Sequence, residues 1–405
     1  MLFESIVQEA PNLASAHYFK GVSHLGKGEV QAAKAAFSRT IELTPNSVKT
    51  RLLLANIHLR LRDADLARAE SQEILRLEPN NYQATLIQGN AELILGNIQQ
   101  AETSYAKLIA LNDSNPTGYY RLGVIAQIKK DYDRAIEYYQ KALSLNPKLM
   151  DVSTELVRAH MGRGDFEQAL AQCDQQLTVT EEIPQLTAVI HFLKGSIYAS
   201  RQDLENSQAE YEKAITTYSN YLPPYYALAG LYLRQNKEDE AIAQYSAITE
   251  KAPQQTRPHM MLGAIYENQQ NIDLAEKHYR KVIEINPDFA PAANNLAYIL
   301  VSQDRDINEA LMLAKKAKES LPEDPSVMDT LGWIYYKKGL YDSAIVEFSD
   351  SLEKLPNNAT IHYHLGAAFY KKGELENAKV QLEKAISLDP KFEGSDDARE
   401  ILKTL

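Results

Sequence analysis

Four features of this 405-residue chain bring reactive side chains to short spacing. Gly21-Val22-Ser23-His24-Leu25-Gly26-Lys27-Gly28 approaches a phosphate-binding loop, where backbone amides and a lysine cradle phosphate and a final Ser or Thr ligates magnesium. Here the final residue is Gly28, so that ligand is missing, and such a loop needs a strand before it, whereas the periodicity puts Gly21 inside a helix. His17 and His24 share one helical face, but no third ligand stands by, and they read as polar surface. His362 and His364 fall on different faces of a helix, a poor geometry for chelation. Cys173 stands alone at an apolar position and reads as a buried, inert thiol.

No zinc-protease helix, nucleophile elbow or dinucleotide fingerprint occurs, so no catalytic, cofactor-binding or metal-binding residue is assigned and no enzyme is expected. The triplets at Asn112 and Asn358 match the glycosylation acceptor, a pattern that arises readily by chance. A net charge of −11 disfavours nucleic acid and anionic lipid as general partners, since phosphate contacts need clustered Lys and Arg. One cysteine allows no internal disulfide, so the fold does not depend on an oxidising compartment. No apolar run approaches the roughly 18 residues of a membrane span. Met1-Leu2-Phe3-Glu4-Ser5 has neither the basic nor the apolar region of a leader.

What must position any site is a repeat. A small residue recurs at Gly21, Ala55, Gly89, Gly123, Val157, Gly195, Ala229, Gly263, Ala297, Gly332 and Gly366, in steps of 34 broken once by 38 and once by 35. A second small residue follows each, at Ala33, Ala67, Ala101, Ala135, Ala169, Ser207, Ala241, Ala275, Ala310, Ala344 and Ala378. An aromatic often sits four further on: Phe37, Tyr105, Tyr139, Tyr211, Tyr245, Tyr279 and Phe348. Prolines close many units, at 45, 79, 147, 253, 287, 322, 356 and 390. Small residues let two antiparallel helices approach, the aromatic fills the space beside them, and proline ends the second helix. Eleven helix-turn-helix units follow: 14–47, 48–81, 82–115, 116–149, 150–183, 188–221, 222–255, 256–289, 290–324, 325–358 and 359–392.

This pattern resembles the tetratricopeptide repeat family over nearly the whole chain. The resemblance implies an all-α, right-handed α-α superhelix with terminal capping helices. Residues 1–13 read as the second helix of a truncated unit, either a half-repeat cap or, the favoured expectation, the start of a chain cut from a longer protein, and 393–405 as a capping helix. Unit 150–183 departs most, with Val157 for the small residue, Cys173 for the aromatic and Glu181 for the proline. Residues 184–187 are an insertion and the expected hinge between units 14–183 and 188–392.

In the family, the first helix of each unit lines the concave groove. Carried over position by position, the groove residues here are Tyr18, Asn56, Asn90, Tyr120, Phe192, Tyr226, Asn294, Tyr298, Trp333, Tyr336, Tyr363 and Tyr370, with Arg121, Arg158, Arg234 and Arg257 as cationic contacts. The chain holds 24 Tyr against 9 Phe and 1 Trp, and tyrosine-rich surfaces suit peptide ligands. Members that clamp a C-terminal carboxylate pair a cation at position 5 with Asn at position 9. Asn56 and Asn90 are present here, but Leu52 and Leu86 replace the cations, so that partner class is rejected. The asparagine ladder of glycosyltransferase-linked members is likewise absent, with only Asn295 fitting. The phrases around Asn294–Tyr298, Asp329–Trp333 and His362–Ala368 are similar to those of bacterial repeat proteins of exopolysaccharide and PEP-CTERM sorting systems. The expected function is a non-catalytic scaffold holding a peptide or protein in the groove. The alternative is the repeat arm of a polysaccharide synthesis, export or sorting assembly. Self-association through the repeat ends is allowed. The setting is either the bacterial envelope or periplasm, if a leader precedes this segment, or the cytoplasm.

Overall fold

The structure, a computed structural model, describes residues 2–405, and among them the chain forms twenty-four α-helices and no β-strand. The all-α class expected from the repeat is what is found. The chain divides into two compact units, one ending at Tyr221 and one spanning Leu222–Leu405.

In the first unit α1 (Leu2–Glu9) precedes six hairpins. These pair α2 (Ala14–Gly26) with α3 (Val30–Leu43), α4 (Val48–Arg60) with α5 (Ala64–Leu77), and α6 (Tyr82–Ile94) with α7 (Ile98–Leu111). Then come α8 (Pro116–Ile128) with α9 (Tyr132–Leu145), α10 (Met150–Arg163) with α11 (Phe166–Thr180), and α12 (Pro184–Ser200) with α13 (Leu204–Thr217). The second unit pairs α14 (Pro223–Arg234) with α15 (Glu238–Lys251), α16 (Thr256–Asn268) with α17 (Ile272–Ile285), and α18 (Ala290–Ser302) with α19 (Ile307–Ser320). It continues with α20 (Pro325–Lys337) and α21 (Tyr341–Lys354), α22 (Ala359–Lys372) and α23 (Leu375–Leu388), and ends in α24 (Ser395–Thr404). The first helix of each hairpin is called A and the second B.

The small residues act as the repeat requires. A Cβ on Gly21, Gly89, Gly123, Gly195, Gly263 or Gly332 would lie 2.4–2.6 Å from the aromatic ring sixteen residues on, closer than any real contact. That ring therefore packs directly on the A-helix backbone, and the small residue near the start of each B helix, Ser207 in α13 and alanine in the others, is fully buried.

The turns are as regular as the helices. Each A helix closes with a backbone bond of 2.8–3.0 Å from the first residue after the turn to a carbonyl five residues back, as in Glu29 to His24 and Glu374 to Phe369. Such a closure needs one residue in the left-handed region. It is Gly28, Gly96, Gly164, Gly339 and Gly373 in five turns, and Arg62, Lys130, Gln202, Asn236, Gln270 and Asp304 in the other six. At the far end of each proline-closed unit, the residue before proline is extended, with φ from −149 to −125°. The proline ring excludes the helical conformation there, so helix B stops.

Two expectations change. The inserted residues 184–187, expected as a hinge, form the first turn of α12, begun by Pro184 and held by the Thr187 hydroxyl donating to the Thr180 carbonyl at 2.6 Å. The division into compact units falls instead after Tyr221. The extra residue near Asp304 likewise has a use. It lets the Asp306 carboxylate accept from the Asn308 and Glu309 amides at 2.9 and 3.0 Å, capping α19.

Candidate interaction surface

The A helices present the expected residues in two kinds of surroundings. In the first unit, Tyr18 is half-buried against Phe37, and the Lys49 ammonium stands 5.0 Å from its ring centre. It borders a cavity of 580 Å³ with Thr40, Thr44 and Thr50. Tyr120 packs on Tyr139, with the Arg121 guanidinium 5.4 Å from its ring. Phe192 meets Tyr211 and Tyr221 at 5.7 Å each. Asn56 is exposed and folds back to donate to the Leu52 carbonyl at 2.8 Å, whereas Asn90 accepts from the buried Tyr105 hydroxyl at 2.9 Å. Arg158 is exposed and ion-paired with Glu155 on its own helix.

In the second unit, the Tyr226 hydroxyl donates to Gln255 at 2.6 Å under the Arg257 guanidinium, 4.8 Å from the ring. Arg234 and Arg257 are exposed. Tyr18, Tyr120 and Tyr226 hold the same position of their repeats, and each carries a cation beside its ring. Such contacts are worth about 0.5–1 kcal/mol at exposed sites, so they orient the rings more than they stabilise the fold.

Further along, the A helices are less open than the sequence implies. Tyr363 is only 8% exposed. It packs on Phe392, and its hydroxyl donates to Asp397 at 2.8 Å. Helix α24 covers this position, so Tyr363 is core rather than groove. Tyr370 accepts a hydrogen bond from Thr404 of the same helix at 3.2 Å. Trp333 stacks with Tyr336 at 4.7 Å and with His364 at 4.2 Å, and it packs against the cores on either side of its hairpin. Burial pushes the Tyr336 phenol up to about 12. Asn294, also 8% exposed, is buried, with its side-chain oxygen lacking a hydrogen-bond partner.

Tyr298 is half-buried where two adjoining hollows of about 330 and 270 Å³ meet. Asn294, Glu267 and Asp329 border the first, Trp333 and Lys337 the second, and His364 and Glu393 both. Asp329 holds the His364 ring nitrogen Nδ1 at 2.8 Å. Glu267 accepts from the Tyr279 hydroxyl at 2.6 Å, and Tyr279 in turn accepts from Asn295 at 3.1 Å. Burial raises the pKa of the Tyr298 phenol, and the fields of Glu393, Asp329 and Glu267 raise it further. Of these groups, repeat positions pointed to Asn294, Tyr298 and Trp333. Glu393 lies beyond the last repeat, and His364 carried no signal apart from its neighbour.

The reactive-looking features resolve into structure. Gly21 lies within α2 on the Phe37 ring. His17 is buried, not surface: its Nε2 meets the Pro11 carbonyl at 2.9 Å. His362 repeats that contact with Pro356 at 3.1 Å and adds Gln381 at 2.6 Å, while His364 serves Asp329. Cys173 is buried, which pushes its thiol up to about 12. Among the described residues, no group of three or more His, Cys, Asp or Glu is placed to hold a metal ion. No helix among them is long and apolar enough to cross a membrane.

Within each unit, successive antiparallel hairpins pack on one another at the repeat spacing, which is the arrangement of a helix-turn-helix repeat protein. Sequence models of the tetratricopeptide repeat match residues 52–116, 116–149, 198–265, 257–289 and 359–392, and a TPR repeat model matches 332–373. The chain belongs to the tetratricopeptide repeat family.

It is 30% identical over 131 residues to a TPR repeat-containing protein of Pseudomonas aeruginosa, covering 32% of this chain and 22% of that one. It is 24% identical over 200 residues to Hsp70-Hsp90 organizing protein 3 of Arabidopsis thaliana, covering 41% and 36%. It is 32% identical over 102 residues to the photosystem I assembly protein Ycf3 of Synechococcus elongatus, covering 24% and 59%. The chain thus spans between a fifth and three fifths of the length of these relatives. Among solved structures, a chain of the APC/C hetero-tetramer Cut9-Hcn1 aligns over 99% of this chain and 91% of its own, at 15% identity and a TM-score of 0.43. MamA aligns over 42% and 92%, at 24% identity and a TM-score of 0.39. The sequence matches bear on the repeat itself and do not reach the exopolysaccharide context.

Proposed function

We propose that this chain is a non-catalytic protein-interaction scaffold that holds an extended segment of a partner polypeptide along its A-helix faces. The observation that carries the reading is the recurrence of a half-buried tyrosine with a cation beside its ring at one repeat position, in Tyr18, Tyr120 and Tyr226. Rings of this kind offer apolar area and a hydroxyl while losing little rotamer freedom, and aromatic and arginine anchors dominate binding surfaces. The names of two relatives, an organizing protein and an assembly protein, accord with it.

A capture experiment from native lysate tests the reading. The wild-type chain is compared with Tyr226→Ala/Arg257→Ala, whose fold is verified by circular dichroism. A partner held by the wild type and lost from the folded variant supports it, and equal capture contradicts it. The second reading, a repeat arm positioning an enzyme or polymer in a polysaccharide assembly, rests on the phrases between residues 291 and 368. It would gain from a longer reading frame with a non-repeat domain.

A further inference from the structure

The hollow at Tyr298 differs in charge from the surroundings of Tyr18, Tyr120 and Tyr226. Where Tyr18, Tyr120 and Tyr226 each have a cation beside the ring, Tyr298 is surrounded by Glu267, Asp329 and Glu393. Elsewhere in this unit acids are neutralised from repeat to repeat, as in Arg280 with Glu309 at 2.6 Å and Lys372 with Asp342 at 2.7 Å. Among the described residues, no Lys or Arg is ion-paired with any of the three carboxylates around Tyr298. Lys337, the cation on the lining, stands 5.9 Å from the Trp333 ring centre and is ion-paired with Asp304 at 2.9 Å. Glu267 and Asp329 are held in place by Tyr279 and His364; the Tyr279 hydroxyl leaves the Glu267 charge uncancelled, and the Asp329 contact is an ion pair only with a protonated imidazole.

A second observation specifies a donor. The Asn294 side chain borders the same hollow, is more than nine-tenths buried, and its oxygen has no hydrogen-bond partner. A buried acceptor left unmatched is costly, and a ligand N–H would satisfy it. The required ligand is therefore cationic, rich in N–H donors, and able to lie against aromatic rings. A guanidinium meets all three conditions: its charge is permanent, its five donors are planar, and it stacks on aromatic faces.

We propose that the Tyr298 hollow receives an arginine side chain from a basic, extended segment of the partner protein. This rests on the reading of the A-helix faces as a polypeptide-binding surface, and it assigns the partner's chemistry at that place. Glu393 and Asp329 meet the charge, and Asn294 takes a guanidinium N–H.

Trp333 is the single tryptophan of the chain and borders the hollow, so its fluorescence reports on occupancy. The full chain is titrated with hexa-arginine, hexa-lysine and hexa-glutamate peptides at about physiological ionic strength, where long-range attraction is screened. The test variant is Glu267→Gln/Asp329→Asn/Glu393→Gln, which keeps the acceptors that Tyr279 and His364 need. The control, Glu181→Gln/Glu182→Gln/Glu205→Gln, removes as much charge from exposed positions in the first unit. Glu393→Lys, at an exposed turn position, is a second variant that leaves the packing alone.

The expected result is a saturable response of Trp333 to hexa-arginine, weaker to hexa-lysine and absent with hexa-glutamate. Affinity should fall about tenfold or more in the test variant and in Glu393→Lys, and stay unchanged in the control. Equal binding by test and control variants would overturn the proposal, since attraction to net charge alone explains it. So would the lack of any Trp333 response to hexa-arginine. If that response is lacking while the lysate partner is still lost from Tyr226→Ala/Arg257→Ala, the inference falls and the binding surface stands. If the partner is also kept by that variant, both fall.

Discussion

Hairpins α8–α9 and α10–α11 are neighbours in the first unit and match position for position 34 residues apart, yet they fill the space between their helices in opposite ways. In α8–α9 the A helix offers Gly123 and the B helix fills the gap with Tyr139; a Cβ on Gly123 would lie 2.4 Å from that ring. In α10–α11 the A helix carries Val157 and the B helix gives way with Cys173, and both are fully buried in one core. The turns differ as well: Lys130 adopts the left-handed conformation in the first hairpin and Gly164 in the second. What the repeat holds constant is the volume between two helices, not the residue that supplies it. The unit that departs most from the pattern is filled rather than loose.

Four outcomes would break or sharpen this contrast. Truncating Tyr139 to Ala should cost about 3–5 kcal/mol in denaturant melts of the first unit, as for other large buried side chains, while Cys173→Ala should cost far less. Gly123→Val should cost about 1–3 kcal/mol by overpacking, and adding Tyr139→Cys should recover part of that loss. Strict additivity in that double-mutant cycle would refute the exchange of volumes. Lys130→Gly should stabilise its turn by about 1 kcal/mol, because glycine enters the left-handed region without the penalty of a side chain, and Gly164→Ala should lose a similar amount. Equal thermal shifts of one sign in the two variants would contradict that assignment.

The last contrast is in pH. Burial lowers the pKa of His160, the neighbouring Arg163 lowers it further, and Asp165 opposes both; the matching residue of α8 is Ala126. The folded state therefore favours neutral His160. Its contribution is complete above the unfolded value of about 6.5 and is lost as the pH falls from there toward the lowered folded value. Hydrogen exchange should show α10–α11 opening sooner at pH 5.5 than at 7.5, with α8–α9 little changed, and His160→Ala should abolish the difference.

The sequence was most informative where structure is local. The small residues, the aromatics and the prolines act within one hairpin, so their spacing revealed the units and the helix ends. The six turns that use a non-glycine residue in the left-handed region were invisible because no residue type marks them, and only the phase of the repeat predicts them. Residues 184–187 read as an inserted hinge because they break that phase, yet Pro184 at a helix start makes them a turn of helix. His17 looked like surface because its partner, the Pro11 carbonyl, is supplied by the preceding turn. At the interaction surface, repeat positions located Tyr298 and Trp333 but not the cover. Tyr363 holds the same position as Tyr18, and only the packing of α24 makes it core. Glu393 joins the hollow from outside the repeat, where periodicity carries no information.

The central claim is that the A-helix faces bind the partner, and its strongest competitor is on the B helices. There Met312, Val346 and Val380 are 63%, 57% and 60% exposed, each two residues after a buried alanine of its repeat. A photoreactive benzoyl-phenylalanine placed at Arg257 on α16 in one chain, and at Val346 on α21 in another, decides between them in living cells of the source organism. The account predicts a covalent partner adduct from position 257 and none from position 346. An adduct from position 346 alone would contradict it and move the binding surface to the B helices.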